Sequence, residues 1–234
     1  MTVNGAASPH ERILTAVLDL LREGGAPSVS TRAIISRAGV QAPAIYRLFG
    51  DKDGLLDAAA ERAFADWVAG KSSTTLPDDP VEALRAGWDD TVRFGLDQPA
   101  AYRIADARPH DGPSVVSGRA LLREKVSRVA AAGRLAVSVE RAVALMHATA
   151  RGVILSLIDV SPDERDLGLS DLARESTIAA ITTDAPATGD GSLAAAATTL
   201  RALAPLSRAL EPAERQLLDV WLARIADAEG PTQR

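Results

Sequence analysis

Two short helix-forming runs, Thr31 to Ala38 and Gln41 to Phe49, are separated only by Gly39-Val40, and this spacing leaves the N-terminal part of the chain few ways to fold. Ser30 stands where it can cap the first run. Gly39 ends it, since glycine takes the left-handed conformation that closes a helix. Val40 then packs inward. Pro43 falls in the first turn of the second run, where a missing N–H costs nothing. A third helix precedes the pair. From Pro9 to Glu23, residues Ile13, Leu14, Val17, Leu18 and Leu21 share one face, and Gly24-Gly25 ends the run. Asp51 caps a longer helix from Lys52 to about Ala69.

The rest of the chain reads as helical too. Hydrophobic residues make up 47% and aromatics only 3% of the 234 residues, and strand formers rarely alternate with polar residues. Lys71 to Asp79 is a Ser/Thr/Pro linker. Val81, Leu84, Trp88, Val92 and Leu96 form the apolar stripe of the next helix, and Pro99 starts a short one to about Ala107. Residues 108–114 form a polar, proline-bounded loop. Helices are expected at about 115–133, 139–158 and 169–183, then a linker from Asp184 to Ser192. Two last helices, about 193–209 and 212–228, form a hairpin broken at Glu211-Pro212. Leu217, Leu218, Trp221, Leu222 and Ile225 give it an apolar face, read as buried. The expected organisation is all-α: a disordered tail (1–8), a helix-turn-helix domain (9–56), a larger helical domain (57–183), and a linker with the C-terminal hairpin (184–234).

Composition excludes several chemistries. There is no cysteine, so no disulfide, thiolate nucleophile or Cys-ligated metal is available. His10, His110 and His147 are too scattered for a zinc site. No glycine-rich phosphate loop and no paired-histidine motif is present, so an enzyme is not expected, nor is any cofactor or metal. No signal peptide is visible, because the apolar run Ile13 to Leu21 is interrupted by Asp19 and lacks a small-residue cleavage site. The apolar stretch Ala142 to Ile158 contains His147 and Arg151 and is short for a membrane span. These features point to a cytoplasmic protein with no membrane partner.

Net charge is −5, but its distribution is uneven. Residues 28–52 hold Arg32, Arg37, Arg47 and Lys52 against Asp51 alone, a local +3 that leaves −8 on the remainder. A small basic patch on an acidic body suits a protein that docks on DNA with one end. Two short helices joined by a tight turn and preceded by a third are the geometry of a helix-turn-helix. Its second helix must lie in the major groove, so the turn must be compact and its interior apolar. Ile34, Ala38, Val40, Ile45 and Leu48 are expected to supply that interior. Gln41, Ala42, Ala44 and Arg47 face outward and are small or polar enough to approach base edges. Tyr46 is placed for a phosphate or a thymine methyl. Lys52 adds a charge where helix amides already favour a phosphate. Ser30, Thr31 and Arg32, at the start of the first helix, complete the expected DNA-binding set. Arg37 reads as a solvated charge.

The run from Thr31 to Leu56 resembles the DNA-binding signature of the TetR family. Ala38-Gly39-Val40, Ile45-Tyr46, Phe49, Lys52 and Leu55 stand in family spacing. The resemblance covers about residues 9–60. Ile35 stands where the family usually has alanine. Gln41 replaces the usual serine or threonine, so the second helix loses its usual N-cap.

The resemblance implies a larger helical domain that binds a small molecule and dimerises, and a repressor as the usual role. The residues add support of their own. The helix at 139–158 is apolar almost all round and must be covered on both sides, by the domain core and by a partner subunit, with 169–183 sharing the interface. Val153 and Leu157 are taken as interface positions. Trp88, Phe94 and Tyr102 are the large side chains expected to line an effector pocket, entered by the 108–114 loop. His147 and Arg151, four apart on one face, either meet an acidic ligand group or are satisfied inside the core. The expected function is a homodimeric, ligand-responsive repressor, released from a pseudo-palindromic operator by a small apolar or aromatic effector. Control by a protein partner and action as an activator are the alternatives. The hairpin at 193–228 exceeds the usual family length.

Overall fold

A computed structural model describes residues 7–72, 77–107, 112–183, 193–206 and 210–228. Among these residues there are eleven α-helices and no strand: α1 (Pro9–Ser28), α2 (Thr31–Ala38), α3 (Ala42–Phe49), α4 (Lys52–Ser72), α5 (Pro80–Asp97), α6 (Pro99–Asp106), α7 (Pro113–Ala131), α8 (Val139–Ile158), α9 (Gly168–Ile181), α10 (Leu193–Leu203) and α11 (Pro212–Ala228). The all-α expectation holds. Most boundaries fall within a few residues of the punctuation read from the sequence. The regular part of α1 stops at Gly24 and Gly25, whose φ/ψ leave the helical region, and a final turn carries on to Ser28. Helix α10 is shorter than expected and passes into a turn of 3-10 helix, Ala204–Leu206. Much of the entrance loop (108–111), of the first linker (73–76) and of the tail (1–6), and all of the second linker (184–192), lie outside the described residues.

The chain forms two compact units, one from residues 1–74 and 93–118, the other from 75–92 and 119–234. In the first, α1 is the centre: it packs on α2, α4 and α6. Its buried stripe is the predicted one, Ile13, Leu14, Val17, Leu18 and Leu21, joined by Ala16 and Leu20. Arg62 of α4 is paired with Glu11 of α1 and reaches Asp66 at 2.8 Å, so the two helices are tied along their polar edge. Phe64 and Trp67 of α4 meet Phe94 and Tyr102, with ring centroids 4.7 Å (Phe64–Phe94), 5.0 Å (Trp67–Phe94) and 6.4 Å (Phe94–Tyr102) apart. Edge-to-face and offset pairs at such distances hold a cluster beyond simple burial.

In the second unit α8 packs beside α9. Helix α8 is long and apolar enough to cross a membrane by length and composition. Here one side of it is core, with Val143, Met146, Val153, Ile154, Leu157 and Ile158 buried. Val153 and Leu157 therefore point into their own subunit, against expectation. The outward positions are Leu145, Ala148, Gly152 and Ser156. They recur every three or four residues on the opposite side. Leu169 and Leu172 of α9 are exposed as well, Leu172 at 68%.

A polar staple closes α5 onto α9. Trp88 is buried and its indole N–H donates to Ser170 Oγ at 3.0 Å. Glu175 accepts from Arg85 at 2.8 Å and from Arg174 at 2.8 Å, and Arg174 also reaches Asp89 at 2.5 Å. Hydrogen bonds from Arg85 and Arg174 hold the Glu175 carboxyl down at about 2. A carboxylate whose pKa is lower folded than unfolded stabilises the fold above its unfolded value, and that contribution is lost as pH falls through the folded one. Acid titration of the melting temperature should therefore fall more steeply in the wild type than in Glu175→Gln between about pH 4.5 and 2. Parallel curves over that window would show that the staple carries no proton linkage.

Candidate nucleic-acid interface

Helix α2 is closed at both ends by residues of the expected kinds, whereas α3 starts without a side-chain cap. Ser30 is extended, and its Oγ accepts from the Ala33 N–H at 3.2 Å, which satisfies one of the unpaired donors of the first turn. Gly39 closes α2 in the left-handed region, φ 63° and ψ 41°, with its N–H on Ile35 O at 3.0 Å. Gln41 occupies the N-cap position of α3 and makes no side-chain cap, as its replacement of serine or threonine implied. Asp51 caps α4: its Oδ1 accepts from the Gly54 N–H at 2.7 Å. A Cβ on Gly54 would lie 2.4 Å from the carbonyl oxygen of Phe49. The turn from α3 into α4 is therefore as close as backbone can approach backbone, and only glycine fits there.

Ile34, Ala38, Val40 and Ile45 are buried and form the interior of the motif. Leu48 is a correction: it is 38% exposed. Phe49 takes its place, half-buried and stacked on His10 with centroids 5.0 Å apart. The signal for that contact was weak, an aromatic residue at each end of the motif and far apart in sequence.

The outer surface carries the expected side chains. On α3, Gln41, Tyr46 and Arg47 are exposed, and Ala42 and Ala44 are half-buried. Tyr46 Oη lies 3.4 Å from Thr31 Oγ1, which joins the start of α2 to the middle of α3 and gathers the two hydroxyls at one place. Arg32 and Lys52 are both exposed, Lys52 at the first position of α4. There the free N–H groups of a helix start add to its positive charge.

The basic patch is smaller than its formal charge. Arg37 is held by Glu23 in a two-pronged pair, 2.8 and 3.0 Å. Its hydrogen bond with Arg37 lowers the Glu23 pKa. Arg37 is thus a strut between α1 and α2. Arg32, Arg47 and Lys52 remain as the cations available to a ligand. A surface of this kind, with neutral small residues between cations and hydroxyls on one exposed helix face, can combine phosphate contacts with base-edge contacts.

The residues expected to hold an effector are distributed over both units. Phe94 and Tyr102 sit together in the aromatic cluster of the first unit, where Phe64 and Trp67 were not anticipated. Their three-residue spacing on one helix was the available sign. Trp88 belongs to the second unit, as do His147 and Arg151, which are half-buried on α8. A crevice of about 160 Å³ opens in that unit between α7, α8, α10 and α11, lined by Arg123, Ser127, Glu140, Thr198, Arg201 and Asp219. None of the five expected residues borders it.

The family model described as bacterial regulatory proteins of the tetR family matches residues 13–59. That span runs from the core of α1 to the buried start of α4. The chain is 46% identical over 106 residues to the tetracycline repressor protein class A from transposon 1721 of Escherichia coli, covering 45% of this chain and 44% of that one. It thus spans less than half the length of this curated relative. A solved TetR variant from Acinetobacter baumannii in complex with minocycline is similar with a TM-score of 0.55 and 26% identity, over 72% of this chain and 93% of that one. A Rhodococcus sp. RHA1 protein of unknown function shares the fold alone, with a TM-score of 0.63 and 19% identity, over 77% of this chain and 98% of the other.

Proposed function

We propose that this chain, whose residues 13–59 match the model of bacterial regulatory proteins of the tetR family, is a member of that family and a cytoplasmic transcription regulator, most simply a repressor, that binds a pseudo-palindromic operator as a homodimer. The observation that carries this reading is the construction of α2 and α3. Their interior is apolar and α2 is capped at both ends, while Gln41, Tyr46, Arg47 and Lys52 are exposed. Packing alone does not require that choice. In this reading Ser30, Thr31, Arg32, Tyr46 and Lys52 meet the phosphate backbone. Gln41, Ala42, Ala44 and Arg47 approach base edges.

The exposed sides of α8 and α9 form the dimer interface, and residues 57–183 act as the dimerisation and effector domain. The effector is a small apolar or aromatic molecule, and the residues proposed for its recognition are Phe94 and Tyr102 within the first unit and Trp88, His147 and Arg151 within the second. The tetracycline repressors among the relatives support that class of ligand. Helix α4 is the lever: it starts at Lys52 and carries Phe64 and Trp67 into the aromatic cluster. A ligand changes DNA affinity only through different affinities for two states, and a tilt of α4 is the motion that would distinguish them.

Titration of operator DNA over a range of salt tests the interface. Lys52→Ala should weaken binding to all sequences alike and reduce the salt slope by about one unit. Gln41→Ala and Arg47→Ala should instead change preference at particular base pairs, by about 1–3 kcal/mol for each bidentate hydrogen-bonded pair that is removed. If neither of the latter alters selectivity, α3 is not the reading helix.

A further inference from the structure

Helix α11 turns one stripe toward α10: Leu222 and Ala226, with Leu218 and Ile225 beside them, pack on Ala197. The opposite stripe is also apolar, which corrects the single buried face expected of the hairpin. Leu217, Val220 and Trp221 are 49%, 41% and 52% exposed. With Ala213 and Arg224 they follow one side of the helix at three- and four-residue spacing. Scattered apolar residues on a surface are ordinary. Three large ones side by side, with Leu200 and Leu203 exposed on the neighbouring helix, mark an interaction surface.

The charges at the ends of this stripe indicate the partner. Glu214 precedes the apolar group and Arg224 follows it, both exposed. At a rise of 1.5 Å per residue they stand about 15 Å apart along the helix, out of reach of each other within one chain. Placed against a second α11 running antiparallel and centred on position 219, each Glu214 comes level with Arg224 of the second copy. Leu217 likewise comes level with Trp221 of the second copy. A parallel pairing would set Glu214 against Glu214 and Arg224 against Arg224. Asp219 itself is turned aside, bonded to Arg201 Nε at 2.7 Å, and so leaves the centre of the pairing free of like charges.

We propose that the outer face of α11 is a self-association surface, closed two-fold by the same face of a second copy. It is separate from the α8–α9 face and adds one step of assembly to the dimer proposed above. The contact is anchored to the body through α10. Arg201 bridges Asp219 of α11 and Glu140 of α8, the latter at 3.0 Å, and Glu140 is also held by Arg123 of α7 at 2.9 Å.

Sedimentation velocity on the full chain of 234 residues tests this. Trp221→Glu should halve the assembled mass. Glu214→Arg and Arg224→Glu should each weaken association at least tenfold, and the two combined in one chain should restore it, since the pair forms between copies. Glu214 also accepts from the Glu211 N–H at 2.9 Å, so Glu214→Gln, which keeps an acceptor there, separates loss of charge from fraying of the helix start. It should weaken association less than Glu214→Arg. An unchanged mass for Trp221→Glu, or a charge-swapped chain as weakly associated as its single variants, would overturn the proposal. The outcome is independent of the α8–α9 dimer, which Gly152→Arg probes in the Trp221→Glu background.

Discussion

Gly54→Ala should destabilise the N-terminal unit by about 1–3 kcal/mol, the range for forcing extra atoms into a packed site, and lower operator affinity at least tenfold. The sign is the informative part. Glycine within a helix ordinarily costs about 0.5–1 kcal/mol relative to alanine, so the substitution usually stabilises. At Gly54 the new Cβ would stand 2.4 Å from the Phe49 carbonyl oxygen, and a backbone atom cannot rotate away as a side chain can. Either the end of α3 or the start of α4 must move, and each carries expected DNA contacts, Arg47 on one and Lys52 on the other. Gly70, on the same helix with nothing within 4 Å of its Cβ position, is the matched control. Gly70→Ala should raise the melting temperature slightly and leave DNA binding alone. Thermal melts and operator titrations of the two variants decide the matter. A Gly54→Ala chain as stable as the wild type would mean that the junction of α3 and α4 is looser than its close backbone approach implies.

In a Trp221→Glu background, which removes the proposed α11 contact, Gly152→Arg should convert the proposed α8–α9 dimer to a monomer while leaving the subunit folded. Gly152 is exposed on the outward side of α8, and a Cβ there meets nothing within 4 Å among the described residues. Any loss of assembly must then come from a second copy. Val153 and Leu157 are unsuitable for this test, because both are buried in their own subunit and a charge there would unfold it. Two reading heads joined in one molecule gain about 10²–10⁴ in affinity over one head alone, so operator binding should fall by that order along with the dimer. Sedimentation together with far-UV circular dichroism reads both effects. A folded double variant that remains dimeric would exclude the α8 face.

Glycines, prolines and caps made the helices legible. Gly24-Gly25, Gly39, Pro43, Asp51, Pro99 and Pro212 each sit at or near a helix end. Backbone punctuation acts locally, through allowed φ/ψ and missing donors, so one sequence suffices to read it. Which side of an apolar helix faces inward is a different kind of question. In α8 and α11 apolar residues line more than one face, and periodicity cannot rank them. Val153 against Leu145, and Leu222 against Trp221, were decided by what each helix packs on. The pairings of Arg37 with Glu23 and of His10 with Phe49 bring together residues from separate helices, which no local pattern specifies. The same limit applied to the effector residues: aromatic size picked out Trp88, Phe94 and Tyr102, while their partners Ser170, Phe64 and Trp67 emerged only from the packing.

Selection of bound sequences from random duplex DNA by the intact protein tests the central claim most directly. A dimer with two α3 helices presented about one helical turn apart, roughly 34–36 Å or modestly more, should enrich an inverted repeat whose half-sites are about 10 bp or slightly more from centre to centre. Gln41→Ala or Arg47→Ala should shift the preferred bases symmetrically in both halves. Enrichment of a single asymmetric site, or no enrichment at all, would contradict a two-fold operator reader built on α2 and α3.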